Sequence, residues 1–152
     1  MKRAFLSLVI LVVVYGSTQA QIRKVPAVVT ATIQAHYPKA SSINYEDFLT
    51  RYRVHLRTDE SKGGDSLIVA ISNSGQIKSV TTILELTDIP KPVKEGLDKS
   101  KYRSWTVLSV ERIAAPATDL QYILGVDGGT VFTKKNLYFS TSGQLLKDRN
   151  TL

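Results

Sequence analysis

The chain carries one pattern twice. Val25-Pro26, Tyr37 and Ser74-Gly75-Gln76-Ile77-Lys78 return as Ile89-Pro90, Tyr102 and Ser142-Gly143-Gln144-Leu145-Leu146-Lys147, a shift of roughly 64 to 68 residues that marks an array of similar units. One such unit, about 60 residues long, lies near the lower size limit for a stable core of its own. The two units must therefore share a core, and the content of one unit dictates what the pair can build.

In the first unit Pro26 stands where helices accept proline, and Val29, Ile33 and Tyr37 follow at i, i+4, i+8, the spacing of one helical face. Pro38 ends the helix. Ile43 and Tyr45 then alternate with Ser42, Asn44 and Glu46, the period of a half-buried strand. Asp47 to Arg51 forms a turn. Tyr52, Val54 and Leu56 alternate with Arg53, His55 and Arg57 in the clearest strand of the chain. A polar loop over Thr58 to Gly64 leads to a third strand with Leu67, Val69 and Ile71 on one face, and Asn73-Ser74-Gly75 turns into a fourth, from Gln76 to about Leu84.

The second unit follows the same plan. Pro90 and Pro92 open a helix carrying Val93 and Leu97, Tyr102 closes that segment, and a strand is expected over Ser104 to Ile113. Tyr122, Leu124 and Val126 match Tyr52, Val54 and Leu56. Leu137 and Phe139 match Val69 and Ile71 before the second Ser-Gly-Gln turn, and Asp127 to Lys134 is the intervening loop. Gly96 inside the second helix is out of character, since it costs about 1 kcal/mol relative to Ala. The expected architecture is α+β: two tandem helix-plus-four-strand units, 21–88 and 89–152, forming one globular domain. A continuous antiparallel sheet with both helices on one face merges the cores and leaves the other face to water.

The first twenty residues read as a secretory signal. Lys2-Arg3 give a basic start, Ala4 to Tyr15 an apolar run, and Gly16 to Ala20 a small and polar cleavage region. The apolar run, about a dozen residues, is shorter than the roughly twenty that cross a bilayer as helix. Export, periplasmic or secreted, with the mature chain starting at Gln21, is the expectation. With no cysteine, the chain is neither a disulfide scaffold nor a lipoprotein anchored through a cysteine. The formal charge of +7 falls to about +5 without Lys2 and Arg3, a moderate excess that biases a surface toward anionic partners. Nucleic acid is not among those expected, because no Lys/Arg run is present and the basic residues are interspersed with acidic ones.

Taken together, the twice-used proline-initiated helix ending in tyrosine (His36-Tyr37-Pro38 and Lys101-Tyr102-Arg103), the Tyr-x-Val-like strand and the strand ending in Ser-Gly-Gln-aliphatic resemble the tandem-repeat PepSY-like proteins. Those are small exported Bacteroidetes proteins with the beta-lactamase-inhibitor-protein-like fold. The resemblance spans nearly the whole chain after the signal and implies a curved sheet of about eight strands, with no defined activity. By correspondence of place it implies a partner-binding surface at Arg53, His55, Arg57, Gln121, Ile123 and Tyr138, with loops around Asp59-Glu60 and Val131-Phe132. Phe132, in a loop, and Tyr138, on the polar phase of a strand, are also the aromatics best suited to anchor an interface.

No catalytic constellation is legible. The chain has no Cys, no G-x-S-x-G elbow, no S-x-x-K and two His, where nucleophilic catalysis needs a base beside its nucleophile. His36 reads as a helix C-terminal residue and His55 as a polar-face residue. No zinc or EF-hand spacing is present, and Asp59, Asp65 and Asp127-Gly128-Gly129 read as hairpin turns. No cofactor is expected. The leading expectation is a non-catalytic binding module for another envelope or secreted protein, an inhibitor-like role included. The alternative is an envelope ligand binder or sensor in which Arg51, Arg53, His55 and Arg57 hold an anionic group.

Overall fold

The computed structural model describes residues 24–59, 61, 63–130 and 133–151; the expected signal segment, and Glu60, Val131 and Phe132 of the expected loops, lie outside the described residues. Helix α1 (Ala27–His36) leads into strands β1 (Ser41–Asp47), β2 (Arg51–Arg57), β3 (Ser66–Ser72) and β4 (Ile77–Leu84). A short 3-10 turn (Leu86–Asp88) and helix α2 (Lys91–Asp98) precede β5 (Thr106–Ala115), β6 (Thr118–Asp127), β7 (Lys134–Ser140) and β8 (Leu145–Asn150). All eight strands form one antiparallel sheet in the order β1 to β8. The chain therefore adds each strand beside the last, by hairpins within each half and across α2 between β4 and β5.

The alternating residues divide as their chemistry requires. Val29 and Ile33 of α1 are fully buried with Tyr52, Val54, Leu56, Leu67, Val69 and Ile71. Val93 and Leu97 of α2 are buried with Tyr102, Val110, Leu124, Val126, Leu137 and Phe139, so the core expected to be shared is divided into two clusters, one per half, with the halves joined through the β4–β5 pairing. Tyr37 and Tyr45 pack at the margin of the first cluster, and Tyr122 and Trp105 at the margin of the second. Trp105 meets the Tyr102 ring edge-on, centroids 4.9 Å apart, a favoured aromatic arrangement that closes the core.

The two Ser-x-Ser-Gly-Gln turns are built from the same bonds. The Ser72 and Ser140 hydroxyls accept the Gln76 and Gln144 amides, both at 3.1 Å. Gly75 and Gly143 both take positive φ, +83° and +84°, which glycine adopts without a Cβ penalty. Each turn supports a helix, and here Gly96 finds its reason. A Cβ on Gly96 would run into the Gly143 carbonyl, and a Cβ on Gly143 into the Pro92 carbonyl. The propensity penalty is accepted because α2 must touch the turn backbone directly.

Two boundaries differ from the sequence expectation. The strand expected over Ser104 to Ile113 runs over Thr106–Ala115. Its start is delayed because the Arg103 and Trp105 amides donate to the Ser100 and Tyr102 carbonyls, closing successive turns after α2. Its end is extended by the tight Pro116-Ala117 connection, which lets Ala115 pair with Thr118. The fourth strand begins at Ile77, because Gln76 is held in the turn through its amide and carbonyl by Ser72.

Candidate binding face

The strand phase that faces away from the two apolar clusters carries the residues of interest, and the registers align them. One row runs from His55 through Ile68, Thr81 and Ile113 to Gln121. A second runs from Arg57 through Ser66, Ile83, Glu111 and Ile123 to Tyr138 and Lys147. These rows hold His55, Arg57, Gln121, Ile123 and Tyr138, and Arg53, paired with Ala70 on the same strand phase as His55, joins them, so six sequence-selected residues share one sheet face although they come from strands far apart in the chain.

Their environments differ. Ile123 is only 8 % exposed, so it is floor rather than protruding contact. Gly125 beside it is required by Ser109: a Cβ there would strike the Ser109 hydroxyl. Arg53 and His55 both turn to Glu46 on β1, with N···O distances of 3.6 and 3.4 Å. His55 Nε2 is sealed from solvent and lacks an aligned hydrogen bond despite that proximity. The expected free basic strand is therefore partly neutralised by a carboxylate the sequence pattern did not single out. Arg57 reaches the Gly64 carbonyl at 3.4 Å.

Asp59 stands apart. One carboxylate oxygen accepts the Ser61 amide and hydroxyl at 3.0 and 2.6 Å, and the other meets Lys39 at 3.2 Å. These bonds, the Ser61 hydroxyl foremost and Lys39 next, hold its carboxyl below the usual range. Asp59 shares a hollow with His36 to Ala40 at the end of α1; it fixes a turn, as the sequence reading of acidic hairpin residues anticipates. Asp127 likewise accepts the Gly129 amide at 2.8 Å.

Several contributors escaped sequence reading. The β1–β2 tip presents Phe48 and Leu49, 41 % and 78 % exposed. Leu49 takes φ +63°, a conformation costly for a branched residue, and is held there by two bonds of 2.8 Å: its amide to Asp47 and its carbonyl from the Asn73 side chain. The Phe48 ring lies beneath the Arg53 guanidinium, 4.7 Å away, with Arg51 at 5.9 Å. At the opposite edge Tyr138 carries Lys147 at 4.3 Å and Arg149 at 5.9 Å. Consecutive apolar residues in a turn, and basic residues alternating about Asp148, were the available signals.

Between these edges the floor is apolar, with Ile68, Ile83, Ile113 and Ile123. Glu111 is set among them. Burial pushes its carboxyl above the usual range, and the Arg53 charge partly opposes that. A hollow of about 230 Å³ opens among Arg51, Arg53, Ile68, Ala70, Thr81 and Ile113. Chemically this face can accept an apolar group on its floor and anions at its edges. Among the described residues no cluster of His, Asp and Glu suited to a metal is present, and no helix is long and apolar enough to cross a membrane.

No protein-family model and no curated protein sequence matches the chain. Solved structures do. A BLIP-like protein from Bacteroides fragilis is 23 % identical, with a TM-score of 0.71 over 83 % of this chain and 86 % of that one. A DUF2874 family protein from Bacteroides ovatus is 24 % identical, with a TM-score of 0.75 over 84 % and 89 %. A candidate periplasmic protein from Bacteroides eggerthii is 18 % identical, with a TM-score of 0.75 over 84 % and 90 %. The eight strands and two helices described above thus share the fold of these Bacteroides proteins, of which the Bacteroides fragilis one is BLIP-like.

Proposed function

We propose that this chain is an exported, non-catalytic binding module that engages another envelope or secreted protein through the strand face bearing Arg53, His55, Arg57, Gln121, Ile123 and Tyr138. In this reading units 21–88 and 89–152 are tandem repeats fused into one domain, and both helices cover the opposite face. The carrying observation is the pair of registers that gather His55, Arg57, Gln121, Ile123 and Tyr138, with Arg53 on the same strand phase, around an apolar floor. An apolar centre with a polar rim is the anatomy of a protein-recognition surface. The likeness to a BLIP-like protein and to a candidate periplasmic one supports an inhibitor-like role outside the cytoplasm. The second reading, a small-anion binder or sensor built on Arg51, Arg53, His55 and Arg57, is less favoured, because it leaves the floor of Ile68, Ile83, Ile113 and Ile123 without a role.

The test is crosslinking capture from the envelope of the native host, with wild type, Ile113→Lys on the floor and Val28→Lys on the exposed side of α1. The proposal expects a partner recovered with wild type and Val28→Lys and lost with Ile113→Lys. Equal recovery with all three removes this face as the site.

A further inference from the structure

The two aromatic–cation groups lie at opposite edges of the same face. Phe48 orders Arg51 and Arg53 at the β1–β2 edge, and Tyr138 orders Lys147 and Arg149 at the β7–β8 edge. A cation resting on a ring is drawn to its face and surrenders less freedom when it then meets an anion. With the strands in sequential order, β2 and β8 lie roughly 29 Å apart measured along the sheet, from a spacing of about 4.8 Å per strand. A single small anion does not bridge that distance.

Charge separates the edges from the floor. Arg51, Arg53 and Arg57 outnumber Glu46 and Asp47 at one edge, where the Asp47 carboxylate accepts the Leu49 amide and the Tyr52 hydroxyl. At the other, Asp148 between Lys147 and Arg149 faces the helix side, engaged with Tyr102, Lys101 and Lys135, and among the described residues the two cations have no carboxylate within ion-pair distance on the open face. The carboxylate in the floor is Glu111, half-buried beside Ile83 and Ile123 in the registers.

We infer that the partner is an acidic protein that places one carboxylate cluster on the Phe48–Arg51–Arg53 group and another on the Tyr138–Lys147–Arg149 group, and lays an apolar side chain on the isoleucine floor between them. This rests on the binding-face reading and names its partner chemistry. The hollow beside Arg53 and Ile113 accepts one inserted side chain, a fit that a protein surface provides and a flat bilayer does not.

The probe is a fluorescent peptide with three glutamates at each end and a leucine-bearing middle of about nine residues, a length that reaches roughly 30 Å when extended. Anisotropy measures its binding against the same peptide with one end changed to glutamine, and against phosphatidylglycerol vesicles. Two linked contacts raise affinity beyond either alone, so neutralising one acidic end is expected to weaken binding at least about tenfold. Lys147→Gln/Arg149→Gln should weaken the doubly acidic peptide comparably and leave one singly acidic peptide nearly unaffected. Equal binding of single-ended and double-ended peptides overturns the inference, as does tighter binding to the vesicles than to the peptide. If the peptide result fails while Ile113→Lys still abolishes capture of the native partner, the binding face stands and the acidic bridge does not.

Discussion

The two halves seat their helices on the same kind of turn in different ways. In the first half α1 meets the Gly75 turn first through side chains: a Cβ on Gly75 would lie 2.7 Å from Val28 Cγ2 and 3.1 Å from Thr32 Oγ1, with the Val28 carbonyl farther off at 3.3 Å. In the second half α2 meets the Gly143 turn backbone to backbone, at Pro92 and Gly96. Side chains can rotate away and a backbone cannot, so the same turn should tolerate change in one half and not in the other.

Gly143→Ala should produce the largest effect, a loss of about 3 kcal/mol or more, from its left-handed φ and an immovable carbonyl. Gly75→Ala carries the same backbone strain but meets the Val28 methyl at 2.7 Å instead of a carbonyl driven much closer, and should lose roughly half as much. Urea denaturation of both variants gives the ratio directly, and equal losses would break the distinction between the halves. Gly96→Ala sharpens it further. An exposed helical glycine gains about 1 kcal/mol on this change, whereas here contact with the Gly143 carbonyl should turn the gain into a loss of about 2 kcal/mol.

The halves differ again where their paired tyrosines end. The Tyr102 hydroxyl donates to Asp148 at 2.7 Å, and Lys135 and Lys101 stand at 3.1 and 3.7 Å from the same carboxylate. Counting from the Ser-Gly-Gln turns, the residue matching Asp148 in the first half is Val80, which packs on the apolar cluster. Burial raises the Tyr37 hydroxyl above its usual range instead. The Tyr102 bond foremost, with Lys135, depresses the Asp148 carboxyl. Its contribution is therefore present above the ordinary carboxylate range and is lost as pH falls through the lowered value. Tyr102→Phe should lose about 1 kcal/mol at pH 7 and show a weaker acid sensitivity than wild type. Tyr37→Phe should leave the pH profile unchanged, a contrast readable from denaturation midpoints between pH 7 and pH 3.

A third contrast joins sequence to surface. Glu46 and Glu111 occupy matching places on β1 and β5, but Glu46 pairs across to Arg53 and Glu111 to Ile123. The edge carboxylate is solvated and ion-paired, while the inner one is desolvated and its carboxyl raised. A raised carboxyl favours the fold below its unfolded value and loses that contribution as pH rises through the folded value. Glu111→Gln should therefore stabilise slightly at pH 7, by roughly 0.5 kcal/mol, and the gain should vanish near pH 4. A destabilised variant at pH 7 would mean that the Arg53 charge outweighs burial.

These contrasts also show what sequence could and could not supply. The helices and most strands were legible because Val29 and Ile33, or Tyr52, Val54 and Leu56, alternate at the period of their element. Turn chemistry marked Ser-Gly-Gln twice. Cross-strand register was not legible, since pairing Glu46 with Arg53 depends on where the β1–β2 tip turns, a matter of one residue. Gly96 looked like a flaw because its partner, the Gly143 carbonyl, is distant in sequence. Of the selected surface residues, six converge on one face, whereas Asp59 is engaged at a turn by Ser61 and Lys39. Lys147 and Arg149 went unnoticed because their significance lies in Tyr138 on the neighbouring strand.

The central proposal is that the isoleucine-floored face, and not α1 or α2, meets the proposed partner. Photocrosslinking side chains placed singly at Ile83, Ile113 and Tyr138, and at Val28 and Lys94 on the helices, test it in the native host. The account predicts one common adduct from the three sheet positions and none from the helical pair. Adducts from Val28 and Lys94 with none from Ile83, Ile113 or Tyr138 would contradict it.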